Sequence, residues 1–152
     1  MGSELITVLL AMTPINELRG TIPLAMTAFQ FSPFKSFFLA VLGNMIPIFL
    51  LLWFWQNLSE SLIKRSKLIK KFFFWLFKRT RKRFYKKHAF YGNLGLILLV
   101  AIPLPLTGAW TGTIAAFLFG IPYIRSLGLI FIGVLIAGLI VTLATIGITS
   151  II

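Results

Sequence analysis

Residues 127–152 form a run of 26 without one charged side chain. About 20 apolar residues in a helix cross the ~30 Å hydrocarbon core of a bilayer. This segment therefore commits the chain to a membrane, and residues 36–56 (SFFLAVLGNMIPIFLLLWFWQ) are a second stretch of that length. The composition agrees, with 152 residues that are 59% hydrophobic and 12% charged and a mean hydropathy of +0.97. A water-soluble domain of this size has too much surface for its volume to hide so many apolar side chains.

Two further apolar regions break in the middle. Residues 5–15 are followed by NELRG and then 21–34, while 94–106 carry Pro103 and Pro105 and are followed by TGAWTGT and then 114–124. Each half is of a length that suits a segment which dips in and returns better than one which spans. Proline and glycine lower helicity at each break, and irregular backbone at membrane depth is tolerated where protein or a cavity covers it. The reading is two re-entrant helical hairpins, at about 5–34 and 93–124, each followed by a transmembrane helix, at about 36–56 and 127–152. Four plain spans are the competing topology. At 1.5 Å per residue they would make the broken segments about 45 to 48 Å long, well beyond the core, with Glu17 and Arg19 mid-helix.

Twelve of the fifteen basic residues lie between Lys64 and Lys87. On a helical wheel Lys64, Lys67, Lys71, Lys78, Lys82 and Lys86 gather on one side, and Leu62, Ile69, Phe73, Leu76 and Phe84 on the other. Aromatic and aliphatic residues interleaved with the charge, and membrane-like sequence on both sides, point to the lipid surface rather than to nucleic acid. The segment reads as an interfacial helix whose lysines meet anionic head groups. The positive-inside rule then places it in the cytoplasm. Met1 to Thr13 carries Glu4 and no positive n-region, so a cleavable signal is not expected.

The halves resemble each other in order. Pro33, Lys35, Ser36 and Gly43 answer Pro122, Arg125, Ser126 and Gly133, and Gly20-Thr21-Ile22 answers Gly112-Thr113-Ile114. A hairpin returns to its own side and a spanning helix does not, so two such units in series have opposite orientations. The expected fold is an all-α integral membrane protein of two inverted repeats, 1–57 and 92–152, joined by the basic amphipathic segment 58–91. Both termini are expected outside the cell. Inverted repeats whose broken helices meet near the midplane are how transporters build substrate sites.

With three acids, one histidine and no cysteine, the chain excludes disulfide frameworks, thiolate nucleophiles, iron–sulfur clusters and ordinary zinc sites, and most paired-carboxylate hydrolysis. No P-loop, dinucleotide fingerprint, HExxH or nucleophile elbow is present, so neither enzymatic chemistry nor a cofactor is expected. What remains is the first break, Asn16-Glu17-Leu18-Arg19-Gly20 with Pro14 and Pro23 beside it. An ionisable side chain at membrane depth costs about 2.5–3.5 kcal/mol even on permissive scales, which marks it as functional or as one half of an ion pair pinning the hairpin tip. Arg19 offers a planar fork for phosphate or carboxylate, and Glu17 is a candidate for proton exchange. In a helix the two would point apart, whereas an unwound turn lets both face one cavity. The second break supplies Thr107, Gly108, Trp110, Thr111 and Gly112, where the Gly108-to-Gly112 spacing lets hairpin tips approach and Thr and Trp offer hydrogen bonds. His88, Glu4 and Glu60 read as surface groups, and the sequon at Asn57 falls on the cytoplasmic side.

The stretches PINELRGTIPLAM and IPLPLTGAWTGTIAAFLFGIP resemble the small multidrug export protein family, which is similar in plan to DedA and VTT-domain membrane proteins. Glu17, Arg19, Gly20 and Pro23 match the first motif, and Pro103, Pro105, Thr107, Gly108, Trp110, Thr111 and Gly112 the second. The resemblance implies opposed re-entrant hairpins and movement of a substance across the membrane; for some relatives it implies lipid scrambling or polyprenyl-phosphate translocation. The chain differs from the DedA pattern in being short and in lacking acidic residues in its second hairpin. Three functions stay open. One is a transporter or scramblase for an amphiphile with an anionic head, bound by Arg19 with Glu17 as protonatable partner. The second is a proton-coupled exporter of cationic drugs with Glu17 as counter-ion. The third is a membrane organiser acting through its basic helix. Two spans and two hairpins cover an unwound tip poorly, so a homodimer is expected, with membrane lipids as the other partner.

Overall fold

The computed structural model describes residues 1–65, 67, 68, 71, 75, 89–104 and 107–152. These are helical, with no strand among them: α1 (Gly2–Ala11), α2 (Glu17–Thr27), α3 (Pro33–Arg65), α4 (Ala89–Ala101), α5 (Ala109–Leu118) and α6 (Tyr123–Ile151). Helix length separates them into two kinds. The apolar part of α3, Pro33–Leu58, has 26 residues and α6 has 29, enough to cross a bilayer. By contrast α1, α2, α4 and α5 have 10, 11, 13 and 10 residues. At 1.5 Å per residue that is about 15–20 Å, roughly half a hydrocarbon core.

Turn chemistry explains where the elements stop. Gly120, at φ +67°, ends α5 in a Schellman motif, with Ile121 N–H on Ala116 O at 3.0 Å and Gly120 N–H on Phe117 O at 3.1 Å. Gln30 holds the corresponding left-handed position, φ +53°, in the turn between α2 and α3. Pro33 opens α3 and Pro122 caps α6, where a missing N–H costs nothing. Pro23 and Pro47 are accommodated inside α2 and α3.

Close backbone approach holds the helices together. A Cβ on Gly43 would lie 2.5 Å from Val8 O and 2.8 Å from Ala11 Cβ, so α1 rides directly on α3. A Cβ on Gly133 would lie 2.7 Å from Val100 Cβ and 3.0 Å from Ile97 O, so α4 rides on α6 in the same way. Gly138 receives the Phe37 ring, which joins α6 to α3. Ile22, Ile48, Leu96, Ile130 and Val134 are fully buried between these elements. Outward, Phe38, Leu42, Leu50 and Trp53 of α3 and Leu139 and Leu143 of α6 stay exposed. Such a surface suits lipid, where apolar side chains need no cover.

The helix bounds differ from the sequence reading at both breaks. Glu17 to Gly20 form the first turn of α2 instead of an unwound tip, and Trp110 to Thr113 lie within α5, so the breaks are residues 12–16 and 102–108. The segment after α3 starts as its continuation to Arg65. Of the six lysines of the basic face, Lys67 and Lys71 are exposed. The side chain of Lys64, the residues Lys78, Lys82 and Lys86, and Pro105 lie outside the described residues.

At the far end of α1, Glu4 Oε1 meets Lys35 Nζ at 2.5 Å, and Lys35 also sits 4.2 Å from the centre of the Phe31 ring. The Lys35 ammonium, aided by the chain's terminal amine, holds the Glu4 carboxyl below the usual carboxylate range.

Candidate functional site

Glu17 and Arg19 both reach across from α2 to the second broken segment, and they reach different parts of it. Helix α5 begins at Ala109 with Gly108 as its cap, a residue with no side chain to satisfy the first N–H groups. The Glu17 carboxylate fills that role from α2. It faces the amides of Ala109 and Trp110, with Trp110 N–H donating to Oε1 at 3.4 Å. Negative charge at a helix N-terminus is favourable both as acceptor and against the helix dipole. Gly108 makes the approach possible twice over. Its φ of +132° suits only glycine, and a Cβ there would overlap the Glu17 carboxylate. Glu17 itself holds φ +42° and is 6% exposed, an unusual backbone for a buried non-glycine residue.

Arg19 takes the other end of the break. Pro103 interrupts the helical ladder after α4, and carbonyls are left without helical partners. The Arg19 guanidinium donates from Nη1 to Leu104 O and from Nη2 to Thr107 O, and Nη2 also reaches Thr107 Oγ1 at 3.0 Å. Thr107 is the knot of this loop, its hydroxyl 2.8 Å from Ile102 O and 2.7 Å from Leu104 O, with Leu104 N–H donating to it at 3.1 Å. A planar fork spans two carbonyls in a way that a lysine ammonium cannot.

An ion pair between Glu17 and Arg19 pinning one tip is therefore not what is found. Among the described residues the two form no salt bridge, and they reach different groups of the second broken segment. Each closes one side of a cavity of about 430 Å³ lined by Pro14, Ile15, Glu17, Arg19, Thr107, Trp110 and Thr111. Three of the five guanidinium donors of Arg19 are engaged, which leaves two without a partner among the described residues. The Trp110 indole N–H is buried and also lacks a partner. Thr111 Oγ1 turns back to Gly108 O at 3.1 Å.

The remaining sequence candidates meet other parts of the chain. A Cβ on Gly20 would press on Asn16, 3.1 Å from its Oδ1. Gly112 admits Val100 of α4, a Cβ there lying 2.6 Å from Val100 Cγ2, so of the GxxxG pair only Gly108 meets α2. Pro23 is in the body of α2, away from the cavity. Pro14, named in the sequence only as a flank of the first break, and Ile15, not named there, line it, and their position directly before Asn16 was the available signal. The amides of Ala109 and Trp110 and the carbonyl of Leu104 are backbone groups that no side-chain pattern reveals. Among the described residues no group of three metal-ligating side chains occurs.

In comparisons with known proteins, neither a curated protein nor a solved structure matched the chain. A family model did match, over residues 17–140, which takes in α2 with Glu17 and Arg19, the whole second break and most of α6. The chain belongs to the family described as Putative small multi-drug export protein.

Proposed function

We propose that the protein is a small membrane transporter or scramblase that moves an amphiphile with an anionic head, a phospholipid or polyprenyl phosphate, through the cavity where two opposed re-entrant hairpins meet. The family name speaks for export across a membrane. Two features support the hairpins. Helices α1, α2, α4 and α5 are each too short to span, and their breaks meet at Glu17, Arg19, Thr107 and Gly108. The repeat draws support from a shared offset in numbering that relates Gln30 to Gly120, buried Ser36 to buried Ser126, and Gly43 of α3, packed against α1, to Gly133 of α6, packed against α4. The repeat is inverted in this reading, with the segment around Lys67 and Lys71 in the cytoplasm against anionic lipid, both termini outside and a second copy covering part of the hairpin surface.

The observation that carries the cargo assignment is the cavity's chemistry. Its lining includes the Arg19 guanidinium, two of whose donors have no partner among the described residues, with Trp110, Thr107 and Thr111 beside it. Such donors fit a phosphate oxygen, with the apolar exterior of α3 and α6 available to tails. A cationic drug would need the Glu17 carboxylate, which is already engaged by the amides of Ala109 and Trp110. Flux in proteoliposomes is the test, with wild type, Glu17→Gln and Arg19→Ala offered a labelled phospholipid and a cationic dye. Loss of lipid movement in Arg19→Ala is expected. Dye transport that survives Arg19→Ala and stops in Glu17→Gln would establish drug export instead. Indifference to both substitutions, with loss on neutralising Lys64, Lys67, Lys71, Lys78, Lys82 and Lys86, would establish the membrane organiser.

A further inference from the structure

The cavity contains its own anion. The Glu17 carboxylate lies at the start of α5 against two amides, on a surface that Gly108 keeps bare, and it borders the 430 Å³ cavity together with Arg19, Trp110 and Thr111. This is the arrangement in which a helix start and a close-approaching glycine hold a phosphate. Glu17 keeps this position at φ +42°, a conformation sparsely populated by residues other than glycine. Arg19, with two guanidinium donors that have no partner among the described residues, borders the same space from the far side.

We infer that Glu17 is a displaceable occupant of the seat taken by the anionic head of the cargo. An entering anion replaces the carboxylate at the Ala109 and Trp110 amides, and Glu17 leaves as its neutral acid, with one proton taken up for each anion bound. The inference rests on the anionic-cargo reading and adds to it the order of events and the stoichiometry. Like charges so close in a medium of low dielectric cannot both persist, which is why arrival of one requires neutralisation of the other. The charged group facing Glu17 is Arg19 from its own helix. The 102–108 loop and α5 bring amides, carbonyls, hydroxyls and an indole, and of the other described charges, Glu4, Lys35, Arg65, Lys67, Lys71 and Arg125, none lines the cavity. One cation thus serves two anions in turn. An empty transporter is closed by its own side chain, and a loaded one carries a proton.

The test is isothermal titration of the full chain in detergent with dihexanoylphosphatidylglycerol, a phosphodiester that does not itself titrate near neutrality. It is run in two buffers of different ionisation enthalpy, for wild type and for Glu17→Gln. Expected are uptake of one proton per lipid by wild type, and binding about tenfold tighter with no proton uptake by Glu17→Gln. Binding by wild type without proton uptake overturns the inference and leaves the cargo class standing. That count decides the matter even if Glu17→Gln does not fold. If neither protein binds this lipid and a cationic amphiphile binds wild type, the anionic-cargo reading fails and the inference falls with it.

Discussion

Gly108 and Glu17 occupy space that only one of them can fill: a Cβ on the glycine would overlap the carboxylate that caps α5 from the start of α2. Gly108→Ala is expected to destabilise the fold by about 1–3 kcal/mol, through its φ of +132° and the expelled carboxylate. If the contact is the cause, the two changes are coupled. Gly108→Ala combined with Glu17→Ala should then cost at least ~0.5 kcal/mol less than the sum of the single variants, read from unfolding in detergent. Additive losses would show that the glycine matters for its backbone alone.

Arg19 bridges Leu104 O and Thr107 through a fork, so charge alone does not replace it. Arg19→Lys is expected to lose about 1.5–3 kcal/mol, the range for hydrogen bonds to a charged group, while Thr107→Ser retains the hydroxyl and stays near wild type. Thr107→Val leaves the loop amide of Leu104 and one guanidinium donor unsatisfied and is expected to fall with Arg19→Lys. Apparent melting temperatures of the four proteins in one detergent rank them.

Three glycines of the long helices separate close packing from bare propensity. Gly43→Ala puts a methyl against the backbone carbonyl of Val8, and Gly133→Ala puts one against Val100 and Ile97 O. Both are expected to destabilise by about 1–3 kcal/mol, Gly43→Ala the more because a carbonyl in a helix cannot turn aside. A Cβ on Gly147 would meet nothing within 4 Å, so Gly147→Ala is neutral or stabilises by up to ~1 kcal/mol through helix propensity. Equal losses at all three would contradict the packing of α1 on α3 and of α4 on α6.

Protonation of Glu4 is expected to loosen the join between α1 and α3. Its carboxyl is held below the usual range by Lys35, so the ion pair contributes above the ordinary carboxylate pKa of 4.5, and that contribution is lost as pH falls through the lowered value. The effect is small, because both side chains are substantially exposed, and added salt screens it. Unfolding followed from pH 6 to pH 3 should show a step in wild type that Glu4→Gln lacks.

The proposed hairpin topology predicts the same side for both chain ends. Reporter tags at the amino and carboxyl termini should both be accessible from outside the cell, and a tag inserted near Lys71 from the cytoplasm. A carboxyl terminus in the cytoplasm would remove the inverted repeat.

Lengths and charges along the chain were enough to tell the two helices long and apolar enough to span from shorter apolar ones. They were also enough to single out Glu17, Arg19, Thr107, Trp110 and Thr111, because a charge or a proline pair within apolar sequence has few physical excuses. Where each helix begins was less legible. Glu17 starts α2 at a positive φ that no propensity predicts, because the reward for that conformation is a contact on a helix more than ninety positions along the chain. Only the tertiary structure decided that Glu17 and Arg19 take opposite ends of the second break. The groups they answer are the amides of Ala109 and Trp110 and the carbonyls of Leu104 and Thr107. Every residue carries such groups. Which of them are left without a partner is settled by where helices end and what packs beside them, and that is a property of the assembled chain.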